Sequence, residues 1–202
     1  LQLILSSVYQ VDSPTGNISY DSAKVWMQHP FVQKAIPLAF GDNYRGYKIL
    51  GTTPDYLEKY GAEISEGKLF EKNFEVVIGS DIAQKLSLKI GDEFFGSHGD
   101  AAEGEVHDHY GYKVVGIAKP TGKVVDNLIL CTIPSVWQMH GGHEKVENPA
   151  HGEEGHVHVE GEEHHEEADM TLDEPGMEIT AVLLKFRNKM GIVTWPRIIA
   201  QN

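Results

Sequence analysis

Short runs of β-branched and aromatic residues alternate along the chain with polar stretches rich in turn-forming residues, a pattern typical of strands separated by turns. Strand-like runs occupy residues 1–9, 32–40, 47–51, 76–78, 93–95, 112–118, 127–133 and 177–186. Helix-like apolar spacing lies between them at residues 20–27, 54–60, 82–86 and 134–139. This order predicts an α+β fold with one module inserted into another, in which the last strand-like run completes the first sheet.

Cap signals indicate where several helices begin and end. Ser19 is expected to cap a helix that begins at Tyr20, because a serine oxygen can accept a hydrogen bond from a free N–H of the first turn. Thr53 offers a similar hydroxyl before Pro54, a residue that suits the first helical position, and Gly61 is expected to end that helix. These signals make the helices the best-defined predictions in the first third of the chain.

The stretch Phe74–Phe95, with sequence FEVVIGSDIAQKLSLKIGDEFF, holds a strand, a turn, a helix and a second strand in 22 residues. Gly79 stops the first strand, and either Ser80 or Asp81 is expected to cap a helix that begins at Ile82. The pattern predicts a small rigid unit. No residue in it is typical of a catalytic group.

Charge is distributed unevenly along the chain. The formal net charge is −13, and residues 141–176 contain twelve acidic residues and one lysine, a net of −11, which leaves −2 for the rest. Phosphate recognition requires clustered Lys and Arg, so this distribution argues against nucleic acid as a partner. Metal cations are a more natural partner for the acidic segment.

Ten of the eleven histidines fall between His98 and His165. Neutral imidazole is a good ligand for zinc, copper or nickel, and His-x-His pairs in an extended segment place both rings on one face. Two interpretations stay open: a site for zinc or a similar divalent transition metal, or a solvated low-complexity segment with incidental affinity for cations. The candidate ligands are His98, His107, His109, His140, His143, His156 and His158.

Packing is the expected role of most other conspicuous side chains. Cys131 lies in an apolar run and is expected to be a buried structural thiol, and as the single cysteine it excludes an intrachain disulfide. Trp26, Trp137 and Trp195 are expected to be packing residues rather than a stacking platform. The segment Trp195–Arg197 could instead lie near a membrane, where amphipathic aromatic residues are favoured.

Known catalytic motifs do not fit the chain. His143–Glu147 has glutamate where the metalloprotease helix motif needs its second histidine, and Gly61–Lys68 has one residue too many for a phosphate-binding loop and is followed by Leu69. Ser97 stands next to His98 without the glycine spacing of a nucleophile elbow. We therefore expect the protein not to be an enzyme.

Five segments, in this order and spacing, resemble the periplasmic core domain of MacB-like and FtsX-like ABC transporter permeases. They are GTTPDYLEKYG (51–61), EGKLF (66–70), VVIGSDIAQKL (76–86), KIGDEF (89–94) and YKVVGIAKPTG (112–122). The resemblance covers residues 47–137 well and the flanks more loosely. It implies an extracytoplasmic domain between the first and second transmembrane helices of a permease subunit in the cell inner membrane.

The resemblance also implies a division of the chain and a function. A porter-like α+β subdomain would comprise residues 1–73 and 177–202, a small β-rich subdomain with a His-bearing loop at 96–111 would be inserted at 74–140, and residues 141–176 would form an acidic His-rich loop. Domains of this family transmit ATP-driven movement to the export or release of a substrate. The implied partners are a cytoplasmic ATPase subunit, a second copy of the permease and a possible periplasmic protein.

Rival interpretations come from the histidine segments, in which this chain departs from the plainest members of the family. One rival is an extracytoplasmic metal-binding or metal-buffering protein, which would bind metal tightly and stoichiometrically. A weaker rival is a zinc hydrolase. The coupling domain itself requires no cofactor.

Overall fold

The computed structural model describes residues 1–97, 110–141 and 170–200, and within them it confirms the mixed helix and sheet class. The strands are β1 (Ile18–Ser19), β2 (Val32–Tyr44), β3 (Tyr47–Thr52), β4 (Ile64–Gly67), β5 (Glu75–Ile78), β6 (Glu93–Phe94), β7 (Tyr112–Ala118), β8 (Leu128–Thr132), β9 (Glu178–Ile179) and β10 (Ala181–Phe186). The helices are α1 (Gln2–Ser7), α2 (Tyr20–Met27), α3 (Asp55–Tyr60), α4 (Ser80–Leu86), α5 (Ile133–Gly141) and α6 (Lys189–Ala200), with a 3₁₀ turn at Val124–Asn127.

One mixed sheet of eight strands forms the centre of the described structure. Its order is β10-β2-β3-β8-β5-β7-β4, and β6 pairs with the beginning of β7. The pairs β3–β8 and β5–β7 are parallel and the others are antiparallel. β10 pairs with β2 along its whole length, so the predicted completion of the first sheet by the last strand-like run is confirmed.

The sheet continues across the boundary predicted between residues 73 and 74. β8 belongs to the predicted insertion, yet it lies between β3 and β5 and pairs in parallel with β3 from Lys48↔Leu128 to Thr52↔Thr132. Because both edges of β8 are used, the two parts share backbone hydrogen bonds. The described strands thus form a sheet common to both parts, and the division into subdomains stays a prediction.

Both faces of the central strands are covered by helices. Ile129 and Cys131 of β8 join an apolar cluster with α2, α4 and α5, whereas Leu128 and Leu130 join a second cluster with α3. Successive side chains of a strand point to opposite faces, so a strand buried on both sides is apolar throughout. Cys131 is fully buried, as predicted, and burial raises the pKa of its thiol.

The prediction of a strand at residues 1–9 is wrong, because residues 2–7 form the short helix α1. A short apolar run has neither the alternation of a half-buried strand nor a full helical period, so its pattern does not separate the two. Leu1, Leu3 and Ile4 are 93%, 56% and 51% exposed. Helix α1 therefore contributes little to the core.

Helix starts were predicted with mixed success. Ser19 caps α2 through its hydroxyl oxygen, which accepts a hydrogen bond from the Ser22 amide at 3.3 Å. The expected Thr53 cap is wrong, because its hydroxyl has no hydrogen-bond partner among the described residues and Pro54 takes the cap position of α3. Gly61 ends α3 in the left-handed conformation, as predicted.

The cap predicted at Ser80 or Asp81 is also wrong, because α4 begins at Ser80 and Gly79 precedes it. A Cβ atom at Gly79 would lie 2.3 Å from the backbone carbonyl of Asp126. The Gly79 amide donates to the Leu128 carbonyl at 2.9 Å, which draws the two segments together. A close backbone approach, and not a side-chain cap, determines where this helix starts.

Candidate functional site

Most of the predicted metal ligands lie outside the described residues. These are His98, His107, His109, His143, His156 and His158, while His140 lies in the last turn of α5. Within residues 1–97, 110–141 and 170–200, no group of three His, Cys, Asp or Glu side chains is arranged to hold a metal ion. The predicted zinc site therefore stays a prediction.

Asn73 and Phe74, which we call the anchor, contact the residues that follow both histidine-bearing segments. The Phe74 ring stacks on Tyr110, with centroids 4.8 Å apart and planes 3° from parallel. The Asn73 side-chain amide donates to the Met170 carbonyl at 2.9 Å. Tyr110 and Met170, the first described residues after 98–109 and after 142–169, therefore both contact the anchor.

Hydrogen bonds from β8 and α5 hold the anchor. The Thr132 hydroxyl donates to Asn73 Oδ1 at 2.9 Å, and the buried Ser135 hydroxyl accepts from the Phe74 amide at 2.9 Å. These two hydroxyl oxygens are 2.7 Å apart. Because the Thr132 hydroxyl donates its proton to Asn73, the Ser135 hydroxyl must be the donor in its bond with Thr132. The Ser135 hydroxyl therefore donates one hydrogen bond and accepts another.

Phe74 adopts a left-handed backbone conformation, with φ of 63°, that is uncommon for an aromatic residue. Its amide bonds Ser135 and its carbonyl accepts from the Lys113 amide at 2.8 Å. Such a conformation persists where the surroundings fix it. The anchor is therefore a constrained point, and sequence reasoning missed it because Asn73, Thr132 and Ser135 carry no short-range signal.

A row of aromatic rings connects the anchor to the other end of the predicted rigid unit. Phe74 lies 5.6 Å from Tyr112, Tyr112 lies 5.8 Å from Phe94, and Phe94 stacks on Tyr44 at 4.3 Å between centroids. Tyr112 is fully buried, and burial raises the pKa of its hydroxyl. This row packs β2, β6 and β7 against one another beside the strand β5.

The N-terminal segment Val8–Asp12, which we call the strap, lies against α3 and β3. The Tyr60 hydroxyl donates to the Val8 carbonyl at 2.9 Å, and the Lys48 ammonium donates to the Asp12 carbonyl at 2.8 Å. Gln10, buried in the middle of the strap, has a φ of 55°. A cavity of about 950 Å³ borders the strap on the side of Leu128.

Helix α6 is attached to the body by an aromatic cluster around Trp195. The Trp195 ring lies 5.7 Å from Trp26, 4.9 Å from His29 and 5.1 Å from Phe186, measured between centroids. Trp195 is only 6% exposed and Trp137 only 5%, so the predicted packing role of these two residues is confirmed. Trp195 is thus the large side chain of α6 that is buried against the body.

Large apolar side chains are exposed on both terminal helices. In α1 they include Leu3 and Ile4, and in α6 they include Met190, Ile192 and Val193. The two helices also border the same strand, because α1 lines a cavity with residues 181–183 of β10 and α6 lines another with residues 183–186. In the described part of the chain, no helix is both long and apolar enough to span a membrane.

In the comparison with protein families, the model of the MacB-like periplasmic core domain matches residues 2–162, well over half of the chain. No curated protein is similar to the chain in sequence.

The fold is similar to that of several solved structures. The periplasmic region of MacB from Actinobacillus actinomycetemcomitans aligns with a TM-score of 0.58 and 9% identity, over 91% of this chain and 72% of that one. The extracellular domain of the noncanonic ABC-type transporter YknZ from Gram-positive bacteria aligns with a TM-score of 0.54 and 9% identity, over 88% of this chain and 78% of that one. At such low identity the likeness concerns the fold alone.

Proposed function

The chain belongs to the family of MacB-like periplasmic core domains of ABC transporter permeases, and from this premise we propose that it transmits ATP-driven movement of the membrane helices to the export or release of a substrate. ATP would be hydrolysed by a separate cytoplasmic subunit. The permease would act as a pair of copies, and a further periplasmic protein could receive the movement.

The observation that supports this proposal is the continuous sheet between the terminal helices and the anchor. Helices α1 and α6 border β10 at one edge, and the anchor lies beside β5 and β7 near the other. Hydrogen-bonded strands and close-packed cores move as rigid bodies rather than deforming continuously. A displacement of β10 would therefore reach the far edge, because the strands between them move as one body.

Spin-label distances in the complete permease, assembled with its ATPase, test this proposal. A label at Lys89→Cys in both copies reports on the far edge of the sheet, and the buried Cys131 would not react. Trapping the ATPase in its nucleotide-bound state should shift the distance between the two labels. No shift on trapping would contradict transmission.

An uncoupling insertion sharpens the test. Four flexible residues inserted between Asn188 and Lys189 should leave ATP hydrolysis intact and abolish the shift, because α6 no longer moves with β10. The same insertion in the hairpin turn at Arg45–Gly46 is the control and should preserve it. A shift that survives the first insertion would exclude α6 as the connection.

We infer a second function, the binding of zinc or a similar metal by the histidine segments, from the clustering of ten histidines between His98 and His165. Tyr110 and Met170, which follow these segments, contact the anchor. Metal binding at His98, His107, His109, His140, His143, His156 and His158 would then act on the transmitting body. Calorimetry on chelator-stripped protein should give saturable heat with Zn²⁺ and little with Mg²⁺, which prefers oxygen ligands. Unchanged heat after His107→Ala, His109→Ala, His156→Ala and His158→Ala together would contradict it.

A further inference from the structure

The outward face of α6 is apolar, unlike that of most surface helices. Gly191 and Trp195 are buried against the body, whereas Met190, Ile192 and Val193 are 66%, 61% and 74% exposed. A helix on the surface of a soluble domain normally presents charged and polar residues on this face. An exposed apolar patch of this kind indicates a contact with a partner other than water.

Positive charge surrounds this face. From Ile179 to Asn202 the chain has four basic residues and no acidic one, whereas the net charge of the whole chain is −13. The four basic side chains are all exposed, and they are Lys185, Arg187, Lys189 and Arg197. A basic region in an otherwise acidic chain indicates an anionic partner.

Helix α1 extends the apolar part of the surface. Leu1, Leu3 and Ile4 are exposed, and residues 1–11 include no acidic or basic side chain. Both α1 and α6 border β10, so their exposed side chains flank one strand. We call the exposed residues of α1 and α6, together with Lys185 and Arg187, the terminal surface.

We propose that the terminal surface binds directly to the surface of a lipid bilayer that contains anionic phospholipids. Exposed apolar side chains flanked by Lys and Arg insert at the boundary between headgroups and acyl chains, while the cations bind headgroup phosphates. A second copy of this chain is a poorer partner, because a symmetric contact would bring the basic residues of the two copies together. This inference goes beyond the coupling function, which requires no lipid contact.

Vesicle flotation of the 202-residue chain tests the proposal. The protein is mixed with vesicles of phosphatidylcholine alone or with about 30% phosphatidylglycerol, in EDTA so that cations held by the histidine segments cannot bridge to lipid. We expect the partition coefficient to be at least about tenfold higher on the anionic vesicles, since each basic residue near such a surface contributes several-fold. Equal or absent binding to both vesicles would overturn the proposal.

Two variants with the same net charge distinguish the effect of charges on the terminal surface from the effect of the overall charge of the protein. Lys185→Gln, Lys189→Gln and Arg197→Gln together should lower partition to the anionic vesicles by about tenfold or more. The control changes three exposed lysines elsewhere, Lys72→Gln, Lys89→Gln and Lys113→Gln, and should lower it less than about threefold. Equal losses in the two variants would contradict a defined surface.

Apolar variants test insertion. Met190→Gln with Val193→Gln should weaken binding to anionic vesicles several-fold, whereas Ile90→Gln, also an exposed apolar position, should not. Circular dichroism and thermal melts verify that each variant is folded. If the α6 variants leave lipid binding unchanged but convert a dimer to a monomer in sedimentation, the face is a protein interface and the proposal fails.

Discussion

The anchor region and the terminal surface differ in whether their side chains find partners within the protein. Around Asn73 and Phe74, hydroxyls and a ring from β7, β8 and α5 fix one conformation. On α1 and α6, large apolar side chains face outward, and Trp195 provides much of the attachment of α6. The contrast suggests that the body around the anchor is stabilised by contacts within the protein. Helices α1 and α6, in contrast, are stabilised in part by whatever the terminal surface binds.

The largest expected effect tests the rigid body. Gly79→Ala would place a Cβ atom 2.3 Å from the Asp126 backbone, which cannot move without breaking the bond between the Gly79 amide and the Leu128 carbonyl. We expect a loss of about 3 kcal/mol or more in the free energy of unfolding, measured by urea denaturation. Gly111→Ala is the control, because the nearest atom to its Cβ would be in the Phe95 ring at 3.5 Å, an ordinary contact distance, and it should cost less than about 0.5 kcal/mol.

A second substitution tests the attachment of α6. Trp195→Ala removes the ring that contacts Trp26, His29 and Phe186, so α6 should open locally. In hydrogen exchange, the protection factors of the α6 amides should fall by at least about tenfold, while those of the β8 amides change little. Trp137→Ala, in the central cluster, should instead lower the global free energy of unfolding by about 3 to 5 kcal/mol. Equal loss of protection in α6 and β8 for Trp195→Ala would contradict the contrast.

The sequence predicts elements where one local signal is decisive. The run Tyr112–Ala118 is observed as the strand β7, and Ser19 and Gly61 border their helices as expected. Features that depend on tertiary contacts were missed. The β3–β8 pairing and the close approach at Gly79 involve segments far apart in the chain, and no periodicity encodes them.

The candidate sites follow the same rule. Histidine spacing suggests a metal, but ligand geometry is a property of folded segments, and the described residues leave it untested. The sequence associates Trp195–Arg197 with a membrane because amphipathic aromatic residues are favoured at its surface. In the structure Trp195 faces inward and Arg197 outward, so the apolar residues available to a partner are instead Met190, Ile192 and Val193.

A substitution at the anchor tests whether its hydrogen bonds stabilise the body. Ser135→Ala leaves the Phe74 amide without its buried acceptor and removes the proton that Thr132 accepts. We expect a loss of about 2 kcal/mol in the free energy of unfolding, because a buried polar group left unpaired costs roughly 1 to 3 kcal/mol. Ser65→Ala, whose exposed hydroxyl donates to the Ile117 carbonyl at 2.9 Å, should cost less than about 0.5 kcal/mol. Similar losses in both variants would show that the hydrogen bonds at the anchor stabilise the protein no more than an exposed one does.

The smallest effect concerns Glu75, which begins β5 directly after the anchor. Burial opposes ionisation of its carboxyl, but hydrogen bonds from the Lys68 ammonium at 2.8 Å and from the Glu71 and Lys72 amides outweigh it, so its pKa lies below the ordinary value. A carboxyl with a lowered folded pKa stabilises the protein above its unfolded pKa of about 4.3, and this contribution disappears as the pH falls through the folded pKa.

Glu75→Gln should therefore cost about 1 kcal/mol at pH 7 and progressively less below pH 4, as measured by urea denaturation across that range. Glu71→Gln is the matched control, since the Glu71 carboxylate is exposed and 3.9 Å from Lys68, and it should change stability by less than about 0.3 kcal/mol at either pH. A Glu75→Gln cost that does not vary with pH would mean that the side chain contributes packing rather than charge. The anchor region would then be rigid through shape alone, and the difference from the terminal surface would rest on its rings and its hydroxyl network.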